Sequence, residues 1–143
     1  MVKDALDDIE WLALCSSRER AWIRRHADLI EVPAGTSLLN EGEASRWFYA
    51  VVDGQATRRV AGHYVGLVTA GDPVNDIEVL RNEPVAATVT ADTKLRLLVM
   101  GRREFLGMLD EIPGLARRVL MPHIPSVPAS RRRRPALVPL PAA

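Results

Sequence analysis

The chain has 143 residues, 48% of them hydrophobic, and a formal net charge of +1. That length suits one domain with a sizeable buried core, and the composition excludes a chain too polar to collapse. Its one cysteine, Cys15, excludes an internal disulfide and a cysteine-rich metal site, and no apolar run reaches the ~20 residues of a membrane helix.

Charge is distributed unevenly. Residues 122–143 contain four arginines and no acid, whereas residues 1–121 carry fifteen basic against eighteen acidic side chains. A mildly acidic body with a basic end argues against a broad nucleic-acid face on the body itself. The start, Met1-Val2-Lys3-Asp4-Ala5-Leu6-Asp7-Asp8, is too acidic and polar for a signal peptide and points to a soluble cytoplasmic chain.

Leu6, Ile9, Leu12 and Ala13 recur at three- and four-residue intervals and predict a helix over residues 4–15, with Cys15 packing as a small hydrophobe. Ser16-Ser17-Arg18-Glu19 reads as a capping box opening a second helix to about Ala27. Ala21, Trp22, Ile23 and Leu29 are expected on its apolar side, and Arg18, Arg20, Arg24 and Arg25 on its wet side. From Leu29 the period changes to that of strands. Strands are expected at 29–32, 37–39, 47–52, 55–60, 64–68, 87–91 and 94–100, with Asp53-Gly54 as a hairpin turn and Trp47, Phe48 and Tyr49 in the core. This regular spacing suits a small antiparallel barrel or jelly roll. Residues 102–109 then read as a short helix, and Pro113 as the first turn of another with Leu115, Ala116, Val119 and Leu120 as its stripe. Pro122, Pro125 and Pro128 end that pattern, so an extended Pro/Arg-rich tail is expected over 122–143, after a domain at 1–121.

In this order the signals resemble the cyclic nucleotide-binding domain of bacterial catabolite-activator-like regulators and of kinase regulatory subunits. The matching residues are Val32-Pro33-Ala34-Gly35-Thr36, Glu41-Gly42-Glu43, Phe48-Tyr49-Ala50-Val51 before Gly54, Gly71-Asp72, Ile77-Glu78-Val79-Leu80, Ala87-Thr88-Val89-Thr90-Ala91, and Phe105-Leu106 before Pro113. The resemblance implies a double-stranded β-helix (jelly-roll) barrel with N-terminal helices and short C-terminal helices. A cupin-type barrel is the rival, but His26, His63 and His123 are scattered and form no His-x-His pair, so no metal site is expected.

The family's ligand sits on a cassette of the form Phe-Gly-Glu-(Ile/Leu)-small-Leu-Leu, then Pro-Arg-(Ala/Ser/Thr)-Ala. Here the glycine position is Asn75, the glutamate position Asp76, the small position Glu78 and the arginine position Val85. Asn75, Asp76, Ile77, Arg81, Val85 and Ala86 are therefore the candidate ligand residues of an altered cassette. A hydrogen bond to a charged group contributes about 1.5–3 kcal/mol, so loss of the arginine weakens phosphate binding by about 10- to 100-fold. Arg81 and Arg96 are the candidate substitute cations, and Asp76 a candidate acceptor for a sugar hydroxyl. No ordinary cAMP site, and no bound cofactor, is expected.

No catalytic constellation competes: there is no P-loop and no defensible Ser/His/Asp arrangement. The chain reads as a non-enzymatic regulatory or protein-interaction module, with a protein partner or self-association. A small-ligand sensor is the alternative, or an adaptor acting through the tail. Arg131, Arg132, Arg133 and Arg134 can touch phosphates without reading sequence, and Leu137-Val138-Pro139-Leu140 has the make-up of a docking peptide.

Overall fold

The computed structural model describes residues 5–120; the expected tail, with Arg131 to Arg134, lies outside them. The described chain forms two antiparallel sheets with helices at both ends. The elements are α1 (Ser17–His26), β1 (Asp28–Val32), β2 (Ser37–Leu39), β3 (Trp47–Asp53), β4 (Gln55–Val60), β5 (His63–Thr69), α2 (Asp76–Arg81), β6 (Thr88–Ala91), β7 (Leu95–Gly101), α3 (Arg102–Glu111) and α4 (Leu115–Leu120). One sheet has the order β1-β7-β3 and the other β2-β6-β4-β5. This is the jelly-roll barrel with flanking helices that the strand spacing implied.

Period-2 alternation gives β3 and β7 two apolar faces. Phe48, Ala50, Val52, Leu98 and Met100 point to the helices, where they meet Ile23, Phe105, Met108, Leu115 and Val119. Val51, Leu95 and Leu97 point the other way, into the barrel, and meet Leu39, Ala56, Val68, Val85 and Val89. The three-stranded sheet is thus a wall shared by two cores. Phe48 stacks on Phe105 at 4.3 Å between ring centroids, and Trp11 meets the Phe48 ring edge-on at 6.2 Å. Full burial of each such aromatic contributes about 1.5–3 kcal/mol.

Several local expectations change. Residues 5–12 form two 3₁₀ helices, Ala5–Asp8 and Glu10–Leu12, rather than one α-helix. Leu6, Ile9, Leu12 and Cys15 are buried at a three-residue interval, the 3₁₀ period, and Trp11 is buried beside them. Ala13, expected on the apolar side, is exposed. The capping box forms as read: Glu19 N donates to Ser16 Oγ at 3.1 Å, and Ser16 N to Glu19 Oε1 at 2.8 Å. Leu29 falls on β1 rather than α1 and is half-exposed, as is Trp47 at the exposed end of β3. Pro113 sits in the turn before α4 instead of inside it, and its successor Gly114 takes φ +81°.

Asp53-Gly54 is not a hairpin. β3 and β4 belong to different sheets, so the pair turns the chain from one sheet to the other. Gly54 has φ +106°, and a Cβ there would stand 2.4 Å from the Lys94 carbonyl oxygen. The true two-residue hairpin is Ala61-Gly62 between β4 and β5, with both residues at positive φ.

Candidate functional site

The cassette hangs from the edge of β3. After β5 the chain turns at Gly71 (φ +95°), where Gly71 N donates to Val51 O at 2.8 Å. Val51 N then donates to Asp72 O, and Val74 N to Tyr49 O. Asn75 continues this ladder with its side chain: Oδ1 accepts from Tyr49 N at 3.1 Å, and Nδ2 donates to Trp47 O at 2.7 Å. Asn75 is fully buried, and its φ is −143°. The left-handed backbone that a glycine equivalent suggested is therefore absent; this residue serves as a strand extension.

Helix α2 follows. Asp76 is its first residue and is 2% exposed, so it is a buried carboxylate rather than a surface one. Asn82, in the left-handed region at φ 56°, ends the helix; Glu83 N reaches Glu78 O at 2.9 Å and Asn82 N reaches Val79 O at 3.3 Å, the Schellman arrangement. Arg102 at the start of α3 adds a charged cap, with Nε donating to Val79 O at 2.8 Å. Cations at a helix C-terminus stabilise it through the peptide dipoles. Sequence reading missed Arg102, because only the tertiary fold brings it to α2.

The segment from Glu83 to β6 is zipped to the β2–β3 loop. Val85 N donates to Glu43 O at 2.8 Å, Gly42 N to Val85 O at 2.9 Å, and Ser45 Oγ to Glu83 O at 2.6 Å. Glu41 accepts from Thr88 Oγ1 and from Ala61 N, tying the same loop to the β4–β5 hairpin. Beside this loop, Leu38, Leu39, Glu43, Arg46, Trp47 and Tyr49 line a cleft of about 360 Å³. Burial, and then the Glu43 charge, push the Tyr49 hydroxyl pKa up.

Two of the candidate positions meet. The carboxylate of Glu78 accepts from Ala86 N at 3.3 Å, laying a negative charge on the backbone donor next to the arginine position. At that position Val85 is 4% exposed and packs with Val51, Val74 and Val89 in the barrel core. Ile77 is partly buried. Arg81 is exposed and is the last residue of α2. Arg96 leaves the set: it alternates with Leu95 and Leu97, faces away from the barrel, and lies 3.9 Å from Glu31.

A different cation faces inward. Arg58 shares a face of β4 with the core residue Ala56, pairs across the sheet with Val89 and Gly66, and donates to Pro73 O at 3.3 Å. The alternation of Gln55-Ala56-Thr57-Arg58 contained that signal; placing Ala56 in the core puts Arg58 on the same side. Thr57 faces outward, donating to Asp92 Oδ2 at 2.6 Å.

A family model described as "Cyclic nucleotide-binding domain" matches residues 29–111. The chain is 31% identical over 122 residues to a cAMP-dependent protein kinase regulatory subunit of Mycosarcoma maydis, a match that covers 79% of this chain and 23% of the relative. It therefore spans about a quarter of that relative's length. Among solved structures, PKAR CBD2 with Sp-2Cl-cAMPS bound superposes with a TM-score of 0.73 at 24% identity, covering 86% of this chain and 84% of that one. The regulatory subunit of a cAMP-independent protein kinase A from Trypanosoma brucei, as a triple mutant bound to cAMP in its A site, superposes at 0.68 with 24% identity and coverages of 79% and 43%. With the barrel, the cassette helix and its lead-in turn all in the family's order, this chain belongs to the cyclic nucleotide-binding domain family.

Proposed function

We propose that this domain is a non-enzymatic regulatory module that no longer takes cAMP in the family's ordinary way and acts through protein contacts. One observation carries the reading: the Glu78 carboxylate sits on Ala86 N–H, where an incoming phosphate would meet like charge, while Val85 offers no cation. Repulsion and the lost charge-assisted hydrogen bond act in the same direction. The trypanosome structure supports this. The mutant that is bound to cAMP replaces a glutamate by alanine, a threonine seven positions on by arginine, and the next valine by alanine. Glu78 and Val85 are likewise seven positions apart, followed by Ala86.

The partner is proposed to be a protein, in keeping with relatives named as kinase regulatory subunits. Arg131 to Arg134 are proposed as part of the contact arm. A second reading, a sensor for another small ligand, is favoured by Arg58, a charged side chain on the inner face of the barrel.

Calorimetric titration of the chain with cAMP and cGMP tests the leading reading. Dissociation constants weaker than about 100 μM are expected, given about 1.4 kcal/mol per decade of lost affinity. Low-micromolar binding that disappears in Asp76→Ala overturns it.

A further inference from the structure

Another cleft, of about 340 Å³, lies at the lead-in turn, between the N-terminal 3₁₀ segment and α4. Trp11, Leu14, Pro73 and Val119 form its apolar lining, and Glu10 and Asp72 supply carboxylates. Leu14 is 77% exposed, the most exposed large hydrophobic side chain among the described residues. An apolar side chain so open beside a tryptophan marks a surface that gains from being covered.

We propose that the occupant is the chain's own C-terminal segment, with Leu137-Val138-Pro139-Leu140 on the apolar lining and Arg131 to Arg134 facing Glu10 and Asp72. Three observations choose this occupant. First, Val119 lines the cleft and Leu120 is the last described residue, so the remaining 23 residues set out from the rim. Second, those residues contain four consecutive arginines and no acid, complementary to the two carboxylates. Arg118 also lines the cleft, but its guanidinium is engaged, with Nε donating to Trp11 O at 3.1 Å and Nη2 lying 3.6 Å from Cys15 Sγ, and the two carboxylates outnumber it. Third, Pro135, Pro139 and Pro141 restrict the segment towards extended conformations, which lowers the entropy lost on docking.

Tethering makes weak contacts sufficient. A short flexible connection gives an effective concentration on the order of millimolar, so a segment with millimolar intrinsic affinity is docked about half the time. The docked segment bears on Gly71, Asp72 and Pro73, and Trp11 Nε1 already donates to Gly71 O at 3.1 Å. These residues lead into α2. The proposal stands whether or not the cassette binds a nucleotide.

Limited trypsin digestion of the native full chain tests it, with cleavage after Arg131, Arg132 and Arg133 followed by mass spectrometry. A synthetic peptide of residues 126–143 serves as the unprotected reference. Cleavage in the full chain is expected to be about twofold slower than in the peptide or more, given a segment docked about half the time. It should be independent of protein concentration and return to the peptide rate in Leu14→Asp, in Glu10→Lys and in high salt. Both substituted residues are exposed, so the folded state should persist, and a thermal melt of each variant verifies this. Cleavage at the peptide rate in the wild-type chain overturns the proposal, as does protection that survives both substitutions. Protection that grows with protein concentration assigns the cleft to the segment of a second copy and overturns the intramolecular docking.

Discussion

Glu78 and Ala86 are eight positions apart in sequence, yet the carboxylate of one caps the backbone N–H of the other at 3.3 Å. The cassette thus supplies its own anion. Replacing Glu78 by Ala frees that donor, and replacing Val85 by Arg adds the missing cation. Each change alone is expected to raise cAMP affinity modestly. The double variant Glu78→Ala with Val85→Arg should gain about 100-fold or more, because each charged hydrogen bond contributes about 1.5–3 kcal/mol. Calorimetry measures it; a double variant no better than the wild type means that the buried Val85 site rejects the larger side chain.

Asn75 falls where the resemblance puts the cassette's glycine, but a glycine there should harm this protein. The substitution Asn75→Gly removes two side-chain hydrogen bonds and leaves Tyr49 N–H and Trp47 C=O without them. Each orphaned group costs about 1–3 kcal/mol. A loss of about 2–5 kcal/mol in urea unfolding is expected, with the same slope against denaturant. An unchanged midpoint would show that water replaces the side chain without penalty.

Gly54 separates a corner from a hairpin. A hairpin turn accepts Asn, whereas this corner brings the Lys94 carbonyl to within 2.4 Å of any added Cβ. Both Gly54→Asn and Gly54→Ala should cost about 2 kcal/mol or more, lowering the melting temperature by several degrees. Tolerance of Asn with loss only for Ala would restore the hairpin reading.

Asp92 gives the stability a measurable acid limb. Its hydrogen bond from Thr57, and then that from Gln55, hold its carboxyl below the usual range, so the unfolded chain binds the proton more tightly than the folded one. The contribution is present above the unfolded value of about 3.9 and is lost as pH falls through the lowered folded value. Thr57→Val should therefore be less stable than the wild type at pH 6, with the gap closing below about pH 3. Urea midpoints across that range decide it, and a gap constant with pH would assign the loss to packing alone.

The capping box at Ser16 and Glu19 was legible because it is a local pattern of four residues, and so were most strand positions. Local patterns do not say which strands pair, and for that reason Asp53-Gly54 looked like a hairpin. The interval from Leu6 to Cys15 is three residues throughout, but Ala13 lies at a distance that also suits an α-helix, and the tighter helix was passed over. The residue types at Asn75, Glu78 and Val85 could be read in the sequence. Their consequences depend on contacts with Tyr49, Trp47 and Ala86, and two of those partners come from a strand more than twenty-five residues away. Arg58 was legible in principle, through its spacing from Ala56, but Arg81 drew the attention by standing nearer the cassette.

Strands β3 and β7 bury side chains on both faces, and this separates positions free to vary from positions that are not. Phe48 and Val51, on opposite sides of β3, answer to different cores, so most changes along that strand are felt by one core or the other. The cassette is held to the wall by main-chain bonds, by Asn75 and by the buried side chains of Val74, Val79 and Val85. Its chemistry can therefore drift, to the point of losing a ligand, while the architecture that displays it stays intact. A domain built this way can outlive its original effector and remain available as a surface for other proteins.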